Sequence, residues 1–161
     1  IYPKITSIAY KSFIRLILEY SSVVWDPHSQ VNIKTLEMIQ RKAMRFVYNR
    51  YSALTSPSEL LKKADLDTLQ ARRQHDRLKY MFLLYHDKLR IDKHAYIKTV
   101  HRRSTRSEHP KKLKEYSCQT KAFKNTFFPR TVTNWNALSA DLVNCETVQS
   151  FMGKLKHQQP T

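Results

Sequence analysis

Ser12–Pro27 reads SFIRLILEYSSVVWDP, a dense apolar run that holds a charged pair and closes on tryptophan and proline. Extended back to Ile5 and wound at 100° per residue, it places its apolar side chains, from Ile5 round to Leu18, on an arc wider than half the circumference. Lys4, Lys11, Arg15 and Glu19 share the remainder. A helix this apolar is normally buried on two sides, so the pattern predicts other helices packed around residues 4–20. Trp25-Asp26-Pro27 ends the run, because the residue before a proline is pushed out of the α region, and Trp25 reads as a structural anchor.

The next stretch opens with Ser29, a natural N-cap, and predicts a second helix to about Tyr48. Leu36, Ile39, Ala43, Phe46 and Val47 share one face of it. Lys34, Arg41, Lys42 and Arg45 lie off that face, either as a phosphate-facing stripe or as a solvated surface, and Glu37 has Arg41 one turn away. Ser56-Pro57-Ser58-Glu59 has the form of a capping box and predicts a short helix over 57–64. Asp67 with Gln70 three residues on predicts the N-cap of a third helix over 68–89, with Leu78, Met81, Phe82, Tyr85 and Leu89 as its apolar stripe. That helix carries Arg72, Arg73, Arg77 and Lys79 in its first half, while His75 and His86 read as packing or surface histidines.

Composition changes at Lys98. Residues 98–114 hold seven basic side chains, one acidic one and few hydrophobes, which predicts a mobile basic loop. Arg102, Arg103 and Arg106 stand before Pro110, and Lys111, Lys112 and Lys114 after it. Alternation over Tyr116–Ala122 leaves room for one short strand. Phe127-Phe128-Pro129-Arg130 leads a short helix on which Phe128, Val132 and Trp135 share a face. Phe127, Phe128 and Trp135 read as structural anchors, and base stacking is the lesser reading. A last helix from Asn144 turns Val148, Phe151, Met152 and Leu155 inward. The expected fold is thus mainly α, with about five to six helices in all: a helical bundle over 1–97, a basic flexible loop with room for a strand over 98–124, and a helical module over 125–161 packing back on the bundle.

The 161 residues carry a net charge of +16. Basic residues outnumber acidic ones by eight to three in 1–50, ten to six in 51–100 and eleven to four in 101–161, so the excess is not confined to one tail. A field of that kind favours polyanions, nucleic acid first, with solubility alone or an anionic lipid surface as the other readings. Gly153 is the single glycine, which excludes a Gly-rich phosphate loop and a dinucleotide fingerprint. No apolar run approaches the 18 residues of a membrane span, and the opening residues do not read as a signal peptide. Cys118 and Cys145, without a Cys-x-x-Cys, fit a reducing compartment. His109 and His157 lie too far from them for a zinc knuckle, and no metal site is expected. No nucleophile stands beside a base and no carboxylates form an adjacent pair, so no catalytic residue is assigned.

Several blocks resemble a signature of non-LTR (LINE) retrotransposon reverse transcriptases, closest to Jockey-type elements, in the region just after the polymerase palm. They are Ala9-Tyr10-Lys11-Ser12-Phe13-Ile14-Arg15, Leu18-Glu19-Tyr20-Ser21-Ser22 and Val24-Trp25-Asp26-Pro27. Leu36-Glu37-Met38-Ile39-Gln40-Arg41-Lys42-Ala43, Arg45-Phe46-Val47 and Leu69-Gln70-Ala71-Arg72-Arg73 continue the series. Asn125-Thr126-Phe127-Phe128-Pro129-Arg130-Thr131-Val132 with Trp135-Asn136-Ala137-Leu138 is its most specific part. The chain departs from relatives at Leu16 and Ser139, where proline is common.

The resemblance implies the thumb and post-thumb part of an RNA-directed DNA polymerase, inert alone, whose Mg2+ and catalytic Asp pair belong to a palm outside this sequence. Its partners would be nucleic acid and the rest of the polymerase, with no membrane and no small-molecule substrate, in the nucleus or a cytoplasmic ribonucleoprotein. The expected phosphate contacts are Lys11, Arg15, Arg41, Lys42, Arg45, Arg72, Arg73, Arg102, Arg103, Arg106, Lys111, Lys112 and Arg130. The other functional class is a basic helical scaffold that docks an acidic protein.

Overall fold

The computed structural model describes residues 3–52, 54–100 and 109–157. Helices dominate: α1 (Pro3–Ala9), a π-turn (Tyr10–Ile14), α2 (Arg15–Glu19), α3 (Ser22–Trp25), α4 (Gln30–Tyr48), α5 (Pro57–Lys63) and α6 (Leu69–Tyr85). A 3-10 turn (Lys93–Ala95), α7 (Lys121–Lys124), α8 (Phe127–Asn136), α9 (Ala140–Val143) and α10 (Val148–His157) follow. The fold is mainly α, as expected. The chain divides into two compact units, Ile1–Gln74 and His75–Thr161, so the division falls inside α6 and not at residue 97.

In the first unit the opening helix is continuous but irregular. Within the π-turn the Arg15 N–H reaches the Tyr10 carbonyl, one residue further than in an α-helix. The extra residue sets the rotation back by about 100°, which returns Leu18 to the side already occupied by Tyr10. Thr6, Tyr10 and Leu18 are the buried residues of these three segments. Phe13, Leu16 and Ile17 are 71%, 64% and 74% exposed, which corrects the expectation of burial on two sides. The apolar arc drawn at a uniform 100° per residue does not survive a change of helical pitch.

Ser29 caps α4 by accepting the Asn32 N–H at 3.3 Å. Its inner face is Ile33, Glu37, Gln40, Met44 and Val47, while Ile39 and Phe46, predicted inside, are exposed. Glu37 does not pair with Arg41. It is buried, and its Oε1 accepts the Gln70 N–H at 2.9 Å, satisfying one of the orphan donors at the start of α6. The local cap is Thr68, whose hydroxyl accepts the Ala71 N–H at 3.2 Å, so the cap sits one residue after Asp67. Helix α5 forms where the Ser-Pro-Ser-Glu motif places it, with Pro57 at its start, but the Ser56 side chain makes no capping bond. The apolar core of this unit is small: Tyr10, Met44, Val47, Leu60, Leu61, Ala64 and Leu66.

The second unit is held by a larger cluster. Leu78, Met81, Phe82 and Leu84 of α6 meet Val132 and Trp135 of α8, Leu142 and Val143 of α9, and Phe151 and Leu155 of α10. Phe82 stacks on Phe151 at 4.6 Å between centroids, and Tyr85 on Trp135 at 5.6 Å. Leu78, Met81, Phe82 and Tyr85 of the α6 stripe and the inner face of α10 are as predicted; α6 ends at Tyr85, so Leu89 packs on the cluster from beyond the helix, and α10 begins at Val148, after the short α9. No strand forms over 116–122; residues 121–124 are helical instead. Pairing occurs earlier, as an isolated antiparallel bridge between Thr99 and Leu113.

Three helices end alike. Asn49, Asp65 and Asp87 take φ of 50°, 51° and 52°, and the next N–H reaches back five residues: Arg50 to Arg45, Leu66 to Leu61, Lys88 to Leu83. These are Schellman turns built without glycine.

Candidate nucleic-acid interface

The basic segment 98–114 is fastened at its base. Around the Thr99–Leu113 bridge, the Val100 N–H donates to the Lys112 carbonyl at 3.2 Å and the Lys114 N–H to the Lys98 carbonyl at 2.7 Å. The returning limb is then clamped by α8. The Asn136 amide accepts the Leu113 N–H at 2.9 Å and donates to the Leu113 carbonyl at 2.8 Å. The Trp135 indole N–H donates to the Lys111 carbonyl at 3.0 Å. His109, 2% exposed, sets its Nε2 3.1 Å from the Trp135 carbonyl. A carbonyl only accepts, so that nitrogen carries the hydrogen. The anchor assigned to Trp135 is therefore extended by Asn136, and residues 109–114 do not form the free loop expected there. Arg102, Arg103 and Arg106 lie outside the described residues.

The remaining basic residues separate by what already holds them. Lys11, Arg41 and Lys42 are exposed and stand open to a polyanion. Lys98 and Lys114 are exposed at the feet of the loop, and Lys112 is half-buried between them in sequence. Arg15 gives its Nε to both oxygens of Glu19 at 3.0 Å. Arg72 also takes Glu19, at 2.6 Å, together with Gln40 Oε1 at 2.6 Å and the Asp67 carbonyl. Arg73 is 2% exposed, with its guanidinium 3.9 Å above the Trp25 ring, 3.6 Å from Asp26 and bonded to the Leu18 carbonyl.

Arg72 and Arg73 are thus corrected from phosphate contacts to internal braces, since Glu19 and Trp25–Asp26 hold their charges inside the first unit. Trp25 is 42% exposed, and its indole N–H donates to the Tyr20 carbonyl at 2.6 Å. Lys111 is likewise turned inward, donating to the Val143 carbonyl at 2.9 Å. Arg45 is half-buried.

Around α8 the second unit concentrates positive charge. Arg77, 3% exposed, donates to Asn134 at 3.4 Å. Burial first, and then the nearby Arg130 cation, lower its pKa to about 10. Burial also lowers that of Arg130, which is half-buried. His86 is held below the usual histidine value by burial, then by the charges of Lys111, Lys88 and Lys93. Its ring lies 4.4 Å from Phe82 and 5.3 Å from Tyr85, a packing position.

Among the described residues no group of three or more His, Cys, Asp or Glu side chains could hold a metal ion, and no helix is long and apolar enough to cross a membrane. Both cysteines are free. Charge alone singled out neither Lys98 nor, except as part of the basic loop, Lys114. Their signal was the short pairing of residues 98–100 with 112–114, which a reading of the segment as a structureless loop passes over. No protein-family model, curated protein or solved structure matches the chain.

Proposed function

We propose that this chain is the non-catalytic thumb and C-terminal part of a non-LTR retrotransposon reverse transcriptase, and that it holds template–primer or target nucleic acid by its phosphates. The observation that carries the reading is the ordered series of sequence blocks along nearly the whole chain, ending in Phe127-Phe128-Pro129-Arg130 and Trp135-Asn136. The net charge of +16 and the exposed cations Lys11, Arg41, Lys42, Lys98 and Lys114 support it. On this reading the phosphodiester chemistry and its Mg2+ belong to the palm, and the working place is the nucleus or a cytoplasmic ribonucleoprotein. The contribution of these 161 residues is position and charge.

A salt titration on an RNA–DNA hybrid tests it. With six or more phosphates neutralised, affinity falls by about a thousandfold or more between 50 and 200 mM salt. A nearly flat titration overturns the reading.

A protein-docking scaffold has one observation of its own. An open apolar groove of about 390 Å³ runs between the opening helix and α4, lined by Phe13, Ile14, Ile39 and Phe46 with Lys42 at its edge. Charge reversal at Lys98, Lys112 and Lys114 separates the two readings: loss of hybrid binding supports the first, and intact hybrid binding with loss of an acidic protein partner supports the scaffold.

A further inference from the structure

A second cavity, of about 370 Å³, opens at the feet of the basic loop, with Tyr96, Lys98, Lys114, Glu115 and Tyr116 in its lining. Its size falls at the lower end of small-ligand clefts, about 300–1,000 Å³. Its aromatic wall is braced from behind. Phe128 stacks on Tyr96 at 4.8 Å with 10° between the ring planes, and Phe127 meets Phe128 edge-on at 5.0 Å. The Tyr116 hydroxyl donates to the Tyr96 carbonyl, fixing the second ring against the first residue's backbone. With Phe128 stacked on its ring, Tyr96 as a residue is still 45% exposed. An aromatic ring this accessible and this well supported has the form of a stacking platform.

The polar groups of the lining fit one ligand. Lys98 and Lys114, joined through their backbones at 2.7 Å, bring two ammonium-bearing side chains to the same rim. Glu115 adds a carboxylate, which repels phosphate but accepts from an exocyclic amino group. We propose that this cavity takes one unpaired base of a single-stranded nucleic acid. The base stacks on Tyr96, the flanking phosphates meet Lys98 and Lys114, and Glu115 favours the amino-bearing bases over uracil. A duplex hides its base faces, so the site selects single strand. The inference rests on the nucleic-acid reading above and adds to it what the charge alone does not carry: contact with a base.

The test uses the full chain with short labelled oligo(A), oligo(C) and oligo(U), an abasic strand of equal length, and the RNA–DNA hybrid, read by fluorescence anisotropy at fixed salt. Tyr96→Ala is expected to weaken oligo(A) by about 5- to 150-fold and to change the abasic strand and the hybrid by less than about twofold. Tyr96→Phe keeps wild-type affinity, and Glu115→Gln narrows the gap between oligo(A) and oligo(U). Unchanged hybrid affinity shows that each variant is folded; Tyr96→Leu, which fills more of the ring's volume, replaces Tyr96→Ala if that control fails. Equal affinity of wild-type protein for oligo(A) and the abasic strand, or equal losses on both in the variants, overturns the cavity alone. Absence of any salt-dependent binding by wild-type protein overturns the nucleic-acid reading itself, and the base site with it.

Discussion

At the centre of the first unit stands Gln40, 0% exposed, taking the Tyr10 hydroxyl at 3.1 Å and the Arg72 guanidinium at 2.6 Å while donating to the Asp67 carbonyl at 3.0 Å. At the centre of the second stand Trp135, Phe82 and Phe151, each also 0% exposed. One interior thus sets a small apolar core beside a hydrogen-bonded chain that runs from Gln40 through Arg72 and Glu19 to the half-buried Arg15, while many of its large hydrophobes lie outside. The other is an apolar cluster with Arg77 buried beside it and its described lysines outside or half-buried. Hydrophobic periodicity predicts the inside of a unit only when the inside is apolar. A buried network reverses the pattern, because a satisfied glutamine or arginine can hold a helix interface while the leucines face away.

The comparison is most exposed to Trp135. Removing that ring by Trp135→Ala takes out the middle of the apolar cluster and the bond to Lys111, and is expected to cost about 3–5 kcal/mol in urea denaturation. A loss below about 1 kcal/mol would mean that the second unit does not depend on its aromatic centre.

Arg73→Met asks the same question of the polar interior. It leaves Asp26, whose side chain is 8% exposed, without its 3.6 Å partner, and the expected loss is about 3 kcal/mol. If the loss resembles that of a surface ion pair, about 0–1 kcal/mol, the network is decoration and the contrast fails.

A smaller effect concerns pH. In the fold, burial and then Lys111, Lys88 and Lys93 hold the pKa of His86 down, so the neutral ring is the native form. The unfolded chain takes up that proton near the ordinary value of about 6.5. Stability from this group is therefore complete above that pH and declines as pH falls through and below it. Denaturation midpoints of His86→Gln should fall less than wild type across the same acid range; parallel curves would remove the histidine from the account.

The smallest expected effect is also the sharpest on the opening helix. Ile17→Ser or Phe13→Ser should change stability by no more than about 0.5 kcal/mol, as at any exposed position. A loss of about 2 kcal/mol or more at either site would restore the two-sided burial that the sequence pattern predicts.

What was legible follows the same division. The second unit obeys a plain 3.6-residue rhythm, so Leu78, Met81, Phe82 and Phe151 could be placed inside from spacing alone. Helix starts with chemical markers, Ser29 and Pro57, were legible too. The opening helix was misread because a π-turn leaves no mark in composition. The inner face of α4 was misread because Glu37 and Gln40, two polar residues, are what it buries. For the candidate interface, charge marked Lys11, Arg41 and Lys42, but charge cannot tell a cation facing solvent from one clamped like Arg72 or Lys111. That distinction lies in long-range partners such as Glu19 and Val143, which only the folded chain brings within reach.

The left-handed helix ends at Asn49, Asp65 and Asp87 carry a further consequence. Most chains spend glycine there, and Gly153, the only glycine available, sits elsewhere in α10. The three turns therefore depend on side chains short enough to tolerate positive φ and polar enough to bond locally, which means asparagine, aspartate or glycine itself. Drift to valine, isoleucine or threonine at any of them would erase a stop sign between helices without touching a core residue. In an evolving lineage these three letters should tolerate few spellings, even where the residues on either side change freely.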